Sequence, residues 1–187
     1  MNVFSKLLCR ILPMPWTQPK LTSNGTFGGN NMAVDVTYHD TTSQSNSNGS
    51  KYYVAFMPNS GYVGQYTDEE SGHNGYLRIW IYYPKPIRLN HIRFFVNNRE
   101  TGQTGPARNV KLYGGNSRSS INVEKGSTTN MVLKIGNVDI GKTYQSDIAM
   151  NEYYQYYMLH VENLKAPFDD RVEIKSIKLD GDYEEFI

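Results

Sequence analysis

The segment Leu77-Arg78-Ile79-Trp80-Ile81-Tyr82-Tyr83-Pro84-Lys85-Pro86-Ile87-Arg88-Leu89 decides the fold. Side chains alternate between faces along an extended chain, so Leu77, Ile79, Ile81 and Tyr83 share one face and Arg78, Trp80 and Tyr82 the other. Proline fixes φ and gives no N–H to a ladder, so Pro84-Lys85-Pro86 turns the chain. Ile87, Leu89 and then His91 or Ile92 lead into the apolar Phe94-Phe95-Val96, a second strand. Both faces of the first strand carry large side chains, whereas a sheet with one wet face alternates apolar with polar. Trp80 and Tyr82 are therefore expected to be covered, either by another subunit of a homo-oligomer or by residues 16–30 of the same chain. Tyr153-Tyr154-Gln155-Tyr156-Tyr157 shows the same excess.

Outward from this centre, Met32, Val34, Val36 and Tyr38 alternate as a strand. Val110, Leu112 and Tyr113 precede a Gly114-Gly115 turn, and Ser119–Val123 with Met131–Ile135 reads as a hairpin around Lys125-Gly126. Tyr154–Val161 and Val172–Leu179 are closing strands, the second with one slip near Ser176. Residues 40–50 hold nothing to bury and read as a polar loop. Short strands at roughly ten-residue intervals indicate an antiparallel sandwich or barrel. The composition agrees: 15 tyrosines favour strands, and 16 glycines with abundant Asn and Ser supply turns.

The first twelve residues depart from this pattern. Val3, Phe4, Leu7, Leu8, Ile11 and Leu12 recur at helical spacing until Pro13 and Pro15 intervene. So short an amphipathic helix is marginal alone, because nucleation costs more than few hydrogen bonds return. Residues 1–15 are thus expected to be a docking extension and 16–187 the domain. A secretory signal and packing on the chain's own domain are the rival readings of the extension. Its charges sit inside the apolar stretch and no small-residue cleavage site follows, unlike a signal.

Several function classes are disfavoured. Acids and bases nearly cancel at a net charge of +1, and the bases scatter singly, which argues against nucleic acid as partner. Cys9 is the sole thiol, so the chain has neither a disulfide framework nor a thiolate metal cluster. No run approaches the roughly 20 apolar residues of a membrane-spanning helix. There is no Gly-x-Ser-x-Gly elbow, and His39, His73, His91 and His160 never fall at paired ligand spacing. Asp68-Glu69-Glu70 and Asp169-Asp170 could offer oxygens to calcium, but no calcium-loop motif supports a metal and solvated turns are the preferred reading. No enzyme and no cofactor is expected. Binding is better supported: Tyr62, Tyr66 and His73 lie in one glycine-rich connection, and Arg99 and Arg108 flank Thr101-Gly102-Gln103-Thr104-Gly105. Tyrosine gives rigid contact area with a polar tip, although these rings could also pack beneath their own loops.

The order of segments from Trp16 to Tyr183 resembles the discoidin, or coagulation-factor C-type, domains of the galactose-binding-like jelly rolls. Val54-Ala55-Phe56-Met57-Pro58 stands where that family often has an Ala-Phe-Asp-Gly turn. The segment 79–89 is similar to its central strand, proline turn and next strand. Val110-Lys111-Leu112-Tyr113-Gly114-Gly115-Asn116 is similar to its strand ending in a Tyr-Gly-Ser-Asn-like turn. Tyr156–Val161 and Glu173–Gly181 resemble its closing strands. Met57-Pro58 replaces the acidic turn, and the paired terminal cysteines of animal members are absent, so calcium and lipid assignments do not carry over. Disulfide-free domains opened by a segment such as Pro15-Trp16-Thr17-Gln18-Pro19 also resemble fibre and capsid-associated proteins of tailed bacteriophages. These resemblances imply an all-β jelly roll that binds at loops at one end of the sandwich. They imply a virion structural protein, docked to other virion proteins through its N-terminus, oligomeric, and able to bind host surface glycans. The alternative is a carbohydrate-binding module of a secreted or surface bacterial protein.

Overall fold

Ile79, Ile81 and Tyr83 are buried while Arg78, Trp80 and Tyr82 are half-buried on the opposite face, so the central alternation holds. The computed structural model describes residues 11–18, 33–38, 44–50, 55–56, 62–66, 76–96, 108–121, 130–139, 141–162 and 171–186. Among these the strands are β1 (Ile11–Thr17), β2 (Ala33–Tyr38), β3 (Gln44–Ser50), β4 (Tyr62–Tyr66), β5 (Tyr76–Val96), β6 (Arg108–Gly115), β7 (Met131–Val138), β8 (Thr143–Asp147), β9 (Tyr154–Glu162) and β10 (Arg171–Phe186). No α-helix occurs among the described residues, and none of their helices is long and apolar enough to cross a membrane.

β5 belongs to two layers. Its first half lies between β2 and β9, and pairing continues from β9 to β6 and from β6 to β7. Its second half lies between β8 and β10, and β10 also carries β1 and β4, with β3 beyond β4. All these pairings are antiparallel. The change of layer falls at the exposed Pro84-Lys85-Pro86, where the register against β9 jumps from Tyr82↔Tyr156 to Ile87↔Tyr154. Tyr157 of β9 spans the layers: its hydroxyl donates to the Ile87 carbonyl at 2.6 Å and accepts the Leu89 N–H at 3.4 Å. The architecture is an antiparallel all-β jelly-roll sandwich.

Two bulges keep the apolar faces inward. Against β10, Leu89 pairs with Gly181 and His91 with Asp180, so Asn90 is extra. The buried positions accordingly switch from Ile87 and Leu89 to Ile92, Phe94 and Val96. On β10 the extra residue lies between Lys175 and Lys178, where Ser176 adopts a left-handed φ of 54°. Burial shifts there from Ile174 to Ile177 and Leu179. The Gln18 side chain secures this second bulge, donating to the Ile177 and Phe56 carbonyls at 3.1 Å and accepting the Leu179 N–H at 2.9 Å.

Four local expectations are corrected. Ile11 and Leu12 are strand, not helix: β1 runs along the end of β10 from Ile11↔Phe186 to Thr17↔Asp180, placing residues 11–15 in the sheet. Pro13 and Pro15 are tolerated because, among the described residues, β1 has a neighbour on one side only. β7 pairs with β6, and Ser119 and Ser120, expected in the strand before it, form a 3-10 turn, while residues 122–129 lie outside the described residues. Gln44–Ser50, expected as loop, is strand because β4 templates it, with Asn46 opposite Val63. Residues 62–66, expected within a connection, are β4 itself.

The core lies between the layers. Edge-on contacts chain Trp16 to Tyr83 at 5.0 Å, Tyr83 to Tyr157 at 5.8 Å and Tyr157 to Tyr154 at 6.0 Å. Aliphatic residues such as Ile79, Leu89, Leu159 and Leu179 fill the space around them. Each fully buried side chain of this size contributes about 1.5–3 kcal/mol from area removed from water.

Candidate functional site

Four short connections cross between layers from a common rim. They join Tyr66 to Tyr76, Val96 to Arg108, Val138 to Thr143 and Glu162 to Arg171. On the first layer Tyr76, Glu162 and Asn109 stand in register, next to Arg108 opposite Val138. On the second, Tyr66 stands opposite Arg171, and Val96 exchanges backbone hydrogen bonds with Gly141 and Lys142 at 2.8 and 3.0 Å. The shortest connection, residues 139–142, spans at most about 18 Å. The strand ends it joins therefore face each other across the sandwich. The opposite end is the corner made by Pro84–Pro86.

Of the residues expected to bind ligand, Tyr66 ends β4 and Arg108 begins β6, so the backbone brings both to this rim, one on each layer. Tyr62 is at the other end of β4, opposite Lys175, about 13 Å along the strand. His73 and Arg99 lie outside the described residues, within connections 67–75 and 97–107 that leave the rim. The acidic groups Asp68-Glu69-Glu70 and Asp169-Asp170 also lie outside them, in connections from the same rim. Among the described residues no three His, Cys, Asp or Glu converge as metal ligands. Val3, Phe4, Leu7 and Leu8 lie outside the described residues, whereas Leu12 stands 42% exposed on β1.

Trp80 and Tyr82 occupy the outer face of the first layer. Trp80 packs against the buried cluster of Tyr113, Ile121 and Met158, as Met131 and Tyr156 also do, and the Arg118 guanidinium lies 4.5 Å from its ring centroid. Residues 118–121 of the same chain supply cover here, beside the two expected covers, a second subunit and residues 16–30, of which 19–30 lie outside the described residues. A capping box between Ser117 and Ser120 holds that 3-10 turn, and the Asn130 side chain donates to the Ser120 carbonyl. Tyr82 meets Tyr156 at 4.9 Å, tilted by 45°.

One feature of this face escaped the sequence reading. Arg78 stands opposite His160, His160 opposite Lys111, and Lys111 opposite Lys134, a row across β5, β9, β6 and β7. His160 is only 5% exposed; its Nδ1 accepts from Arg78 Nε at 3.2 Å, and its ring meets Tyr113 edge-on at 6.4 Å. Arg78 was visible as an outward position, but only cross-strand register aligns it with two lysines.

At the closed corner Asp182 takes the Tyr153 hydroxyl at 2.7 Å on Oδ1 and Arg88 on Oδ2 at 3.0 and 3.2 Å. Burial and the hydrogen bond to Asp182 push the Tyr153 phenol up to about 12, and the same carboxylate raises Arg88. With every carboxylate oxygen occupied by the chain's own donors, this cluster is a structural tie.

No protein-family model and no curated protein sequence matches the chain. Similar solved structures include the family 32 CBM from C. perfringens NanJ in complex with galactose, at 9% identity over 80% of this chain and 93% of that one, with a TM-score of 0.47. A Ruminococcus gnavus GH29 fucosidase in complex with fucose shares 13% identity over 81% of this chain, with a TM-score of 0.48, and this chain covers 25% of its length. The C-terminal domain of a chitobiase from Bacteroides fragilis shares 11% identity over 87% of this chain and 99% of that one, with a TM-score of 0.46.

Proposed function

We propose that this chain is a non-catalytic binding domain that takes carbohydrate at the rim between its two layers. The carrying observation is that four cross-layer connections leave one end, with Tyr66 and Arg108 at strand ends on opposite layers. Connections held by a rigid sandwich can vary without cost to the core, and they present side chains to a ligand from several directions at once. A tyrosine face suits the flat side of a sugar ring, and a guanidinium offers several donors to its hydroxyls. A glycan array on the purified chain tests this reading. Tyr66→Ala and Arg108→Ala are each expected to weaken the best signal roughly tenfold, the scale of losing one good contact, with an unchanged circular-dichroism spectrum. Binding to no glycan, or turnover of a bound one, overturns it.

A second reading, attachment to a virion through the N-terminal segment, is favoured by Leu12, the large hydrophobic residue that stands exposed where that segment enters β1. The domain would then act from a particle surface, where many weak sites together gain avidity by roughly 10²–10⁴. Deletion of residues 1–10 tests it and leaves β1 on β10. Loss of particle incorporation with intact glycan binding supports the reading, and unchanged incorporation removes it.

A further inference from the structure

Residues 139–142, the shortest connection at the rim, are pinned through their backbone. The Gly141 N–H donates to the Val96 carbonyl at 2.8 Å, the Val96 N–H to the Lys142 carbonyl at 3.0 Å, and the Asp139 N–H to the Tyr144 hydroxyl at 2.6 Å. Gly141 supplies a left-handed φ of 75°, which glycine adopts without steric cost. None of these bonds uses a charged side chain. Yet Lys142 Nζ lies 2.8 Å from Asp139 Oδ2, and the two side chains stand 64% and 50% exposed. An exposed ion pair adds little to stability, so the turn keeps its shape without this one.

The pair sits between the two residues proposed for the rim. Asp139 follows Val138, which stands opposite Arg108. On the other layer Val96, bonded to this turn, and Val63 both stand opposite Ile174, and Tyr66 follows Val63 by three residues. Two strand spacings across and three residues along put the backbones of Val96 and Tyr66 about 14 Å apart, a distance that an oligosaccharide of a few rings spans. Asp139 Oδ1 accepts no hydrogen bond among the described residues. An ammonium has three donors, so Lys142 keeps others beyond the one given to Oδ2. Adjacent hydroxyls of a sugar ring fit this couple, one donating to Oδ1 and the next accepting from Nζ. The pair is neutral as a whole, so an acidic sugar drawn to Lys142 also meets Asp139, and an amino sugar drawn to Asp139 meets Lys142.

Resting on the reading of the rim as a glycan site, we infer that the Asp139–Lys142 pair sets its specificity: Asp139 accepts from one hydroxyl of a neutral sugar, Lys142 donates to the adjacent one, and sugars with a net charge are turned away. A pair already held in place binds without ordering either side chain first, which lowers the entropic cost of association.

A glycan array probed with the full chain tests this when its neutral, acidic and amino-sugar members are compared. The wild type is expected to favour neutral members. Asp139→Asn keeps an acceptor for Lys142 but leaves the ammonium unbalanced. Neutral binding should fall roughly tenfold, the scale of one hydrogen bond to a charged group, while acidic members gain relative to neutral ones. Lys142→Gln leaves the carboxylate unbalanced and should move the profile towards amino sugars instead. Asp147→Asn makes the same charge change at the far end of β8, where the side chain is 96% exposed, and should keep the wild-type profile. Circular dichroism and urea midpoints should match the wild type in all three variants. A fall of all three glycan classes in equal proportion makes the pair a structural tie and overturns the inference. An unchanged profile in Asp139→Asn or Lys142→Gln overturns it, as does the same shift in Asp147→Asn, or a wild type that favours charged sugars. In each of these cases glycan binding at the rim still stands. Binding to no glycan overturns both.

Discussion

Tyr153 donates its hydroxyl to Asp182 Oδ1 at 2.7 Å, and this contact ties the segment entering β9 to the end of β10. Arg88, directly opposite Asp182 on β5, holds the other carboxylate oxygen and lies 5.2 Å from the Tyr153 ring centroid. Three elements thus meet on one nearly buried carboxylate at the corner where β5 changes layer. Asp182→Ala strips both partners of their acceptor and should cost roughly 2–4 kcal/mol. Asp182→Asn keeps one acceptor oxygen and should recover part of that. Urea midpoints compare them; an alanine variant as stable as the wild type would show that the tie is ornamental.

Gly181 precedes this carboxylate and faces Leu89. A Cβ there would run into the backbone carbonyl of Arg88, which cannot swing aside as a side-chain tip could. Gly181→Ala is therefore expected to destabilise by roughly 1–3 kcal/mol or more, the scale of overpacking. An unshifted melting temperature contradicts this.

Alkaline pH should loosen the same corner. Tyr153 is raised to about 12, chiefly by burial and then by its bond to Asp182; burial also raises Tyr83, Tyr154 and Tyr157. A phenol whose folded value exceeds its unfolded value of about 10 favours the fold fully below pH 10. That contribution fades as pH rises from about 10 towards 12, because unfolded tyrosines ionise first. The urea midpoint should accordingly fall in that window, and part of the tyrosinate absorbance should appear only with unfolding. If all 15 tyrosines ionise together near pH 10 with the fold intact, the assignment is wrong.

Two core tyrosines should respond oppositely to loss of a hydroxyl. Tyr157 gives its hydroxyl to Ile87 and receives the Leu89 N–H, so Tyr157→Phe leaves a buried carbonyl and amide without that partner and should cost roughly 1–3 kcal/mol. Tyr83 is 1% exposed and its hydroxyl has no hydrogen-bond partner among the described residues, as also holds for Trp16 Nε1 beside it. Tyr83→Phe removes an unpaired buried group while keeping the ring contacts to Trp16 and Tyr157. It should leave stability unchanged or raise it by up to about 1 kcal/mol. A large loss in Tyr83→Phe would mean that its hydroxyl is satisfied.

What could be read from the sequence follows from which positions face the core. The strand around Ile79 buries every second residue, and the closing strand buries Ile174 and then, past one bulge, Ile177 and Leu179, so their apolar periodicity was visible. The slip at Ser176 is the β10 bulge, and the ambiguity between His91 and Ile92 is the bulge at Asn90. β3 was illegible because Gln44–Ser50 has no apolar position and pairs only because β4 is there. β8 was missed for a similar reason, with Tyr144 as its sole apolar residue. Of the hairpin expected at 119–135, Ser119 and Ser120 form a 3-10 turn and β7 finds a partner in β6, while residues 122–129 lie outside the described residues. Helical spacing at Ile11 and Leu12 yielded to the ladder offered by β10. Of the candidate site, residue types were legible but convergence was not: only pairing puts Tyr66 and Arg108 at one rim, or aligns Arg78, Lys111 and Lys134.

The two tryptophans give a direct probe of the outer face. Trp16 is 3% exposed in the core, whereas Trp80 is half-buried beneath Arg118. Acrylamide should therefore quench two populations of emitter, one shielded and one accessible. Arg118→Ala removes the guanidinium above Trp80 and should increase quenching of the accessible population, at a stability cost of about 0.5–1 kcal/mol for an exposed cation–π contact. Trp80→Phe should leave only the shielded emitter. Quenching in Arg118→Ala unchanged from the wild type would deny that Arg118 covers the ring. If both tryptophans are shielded at high protein concentration and Trp80 opens on dilution, a second copy of the chain covers this face.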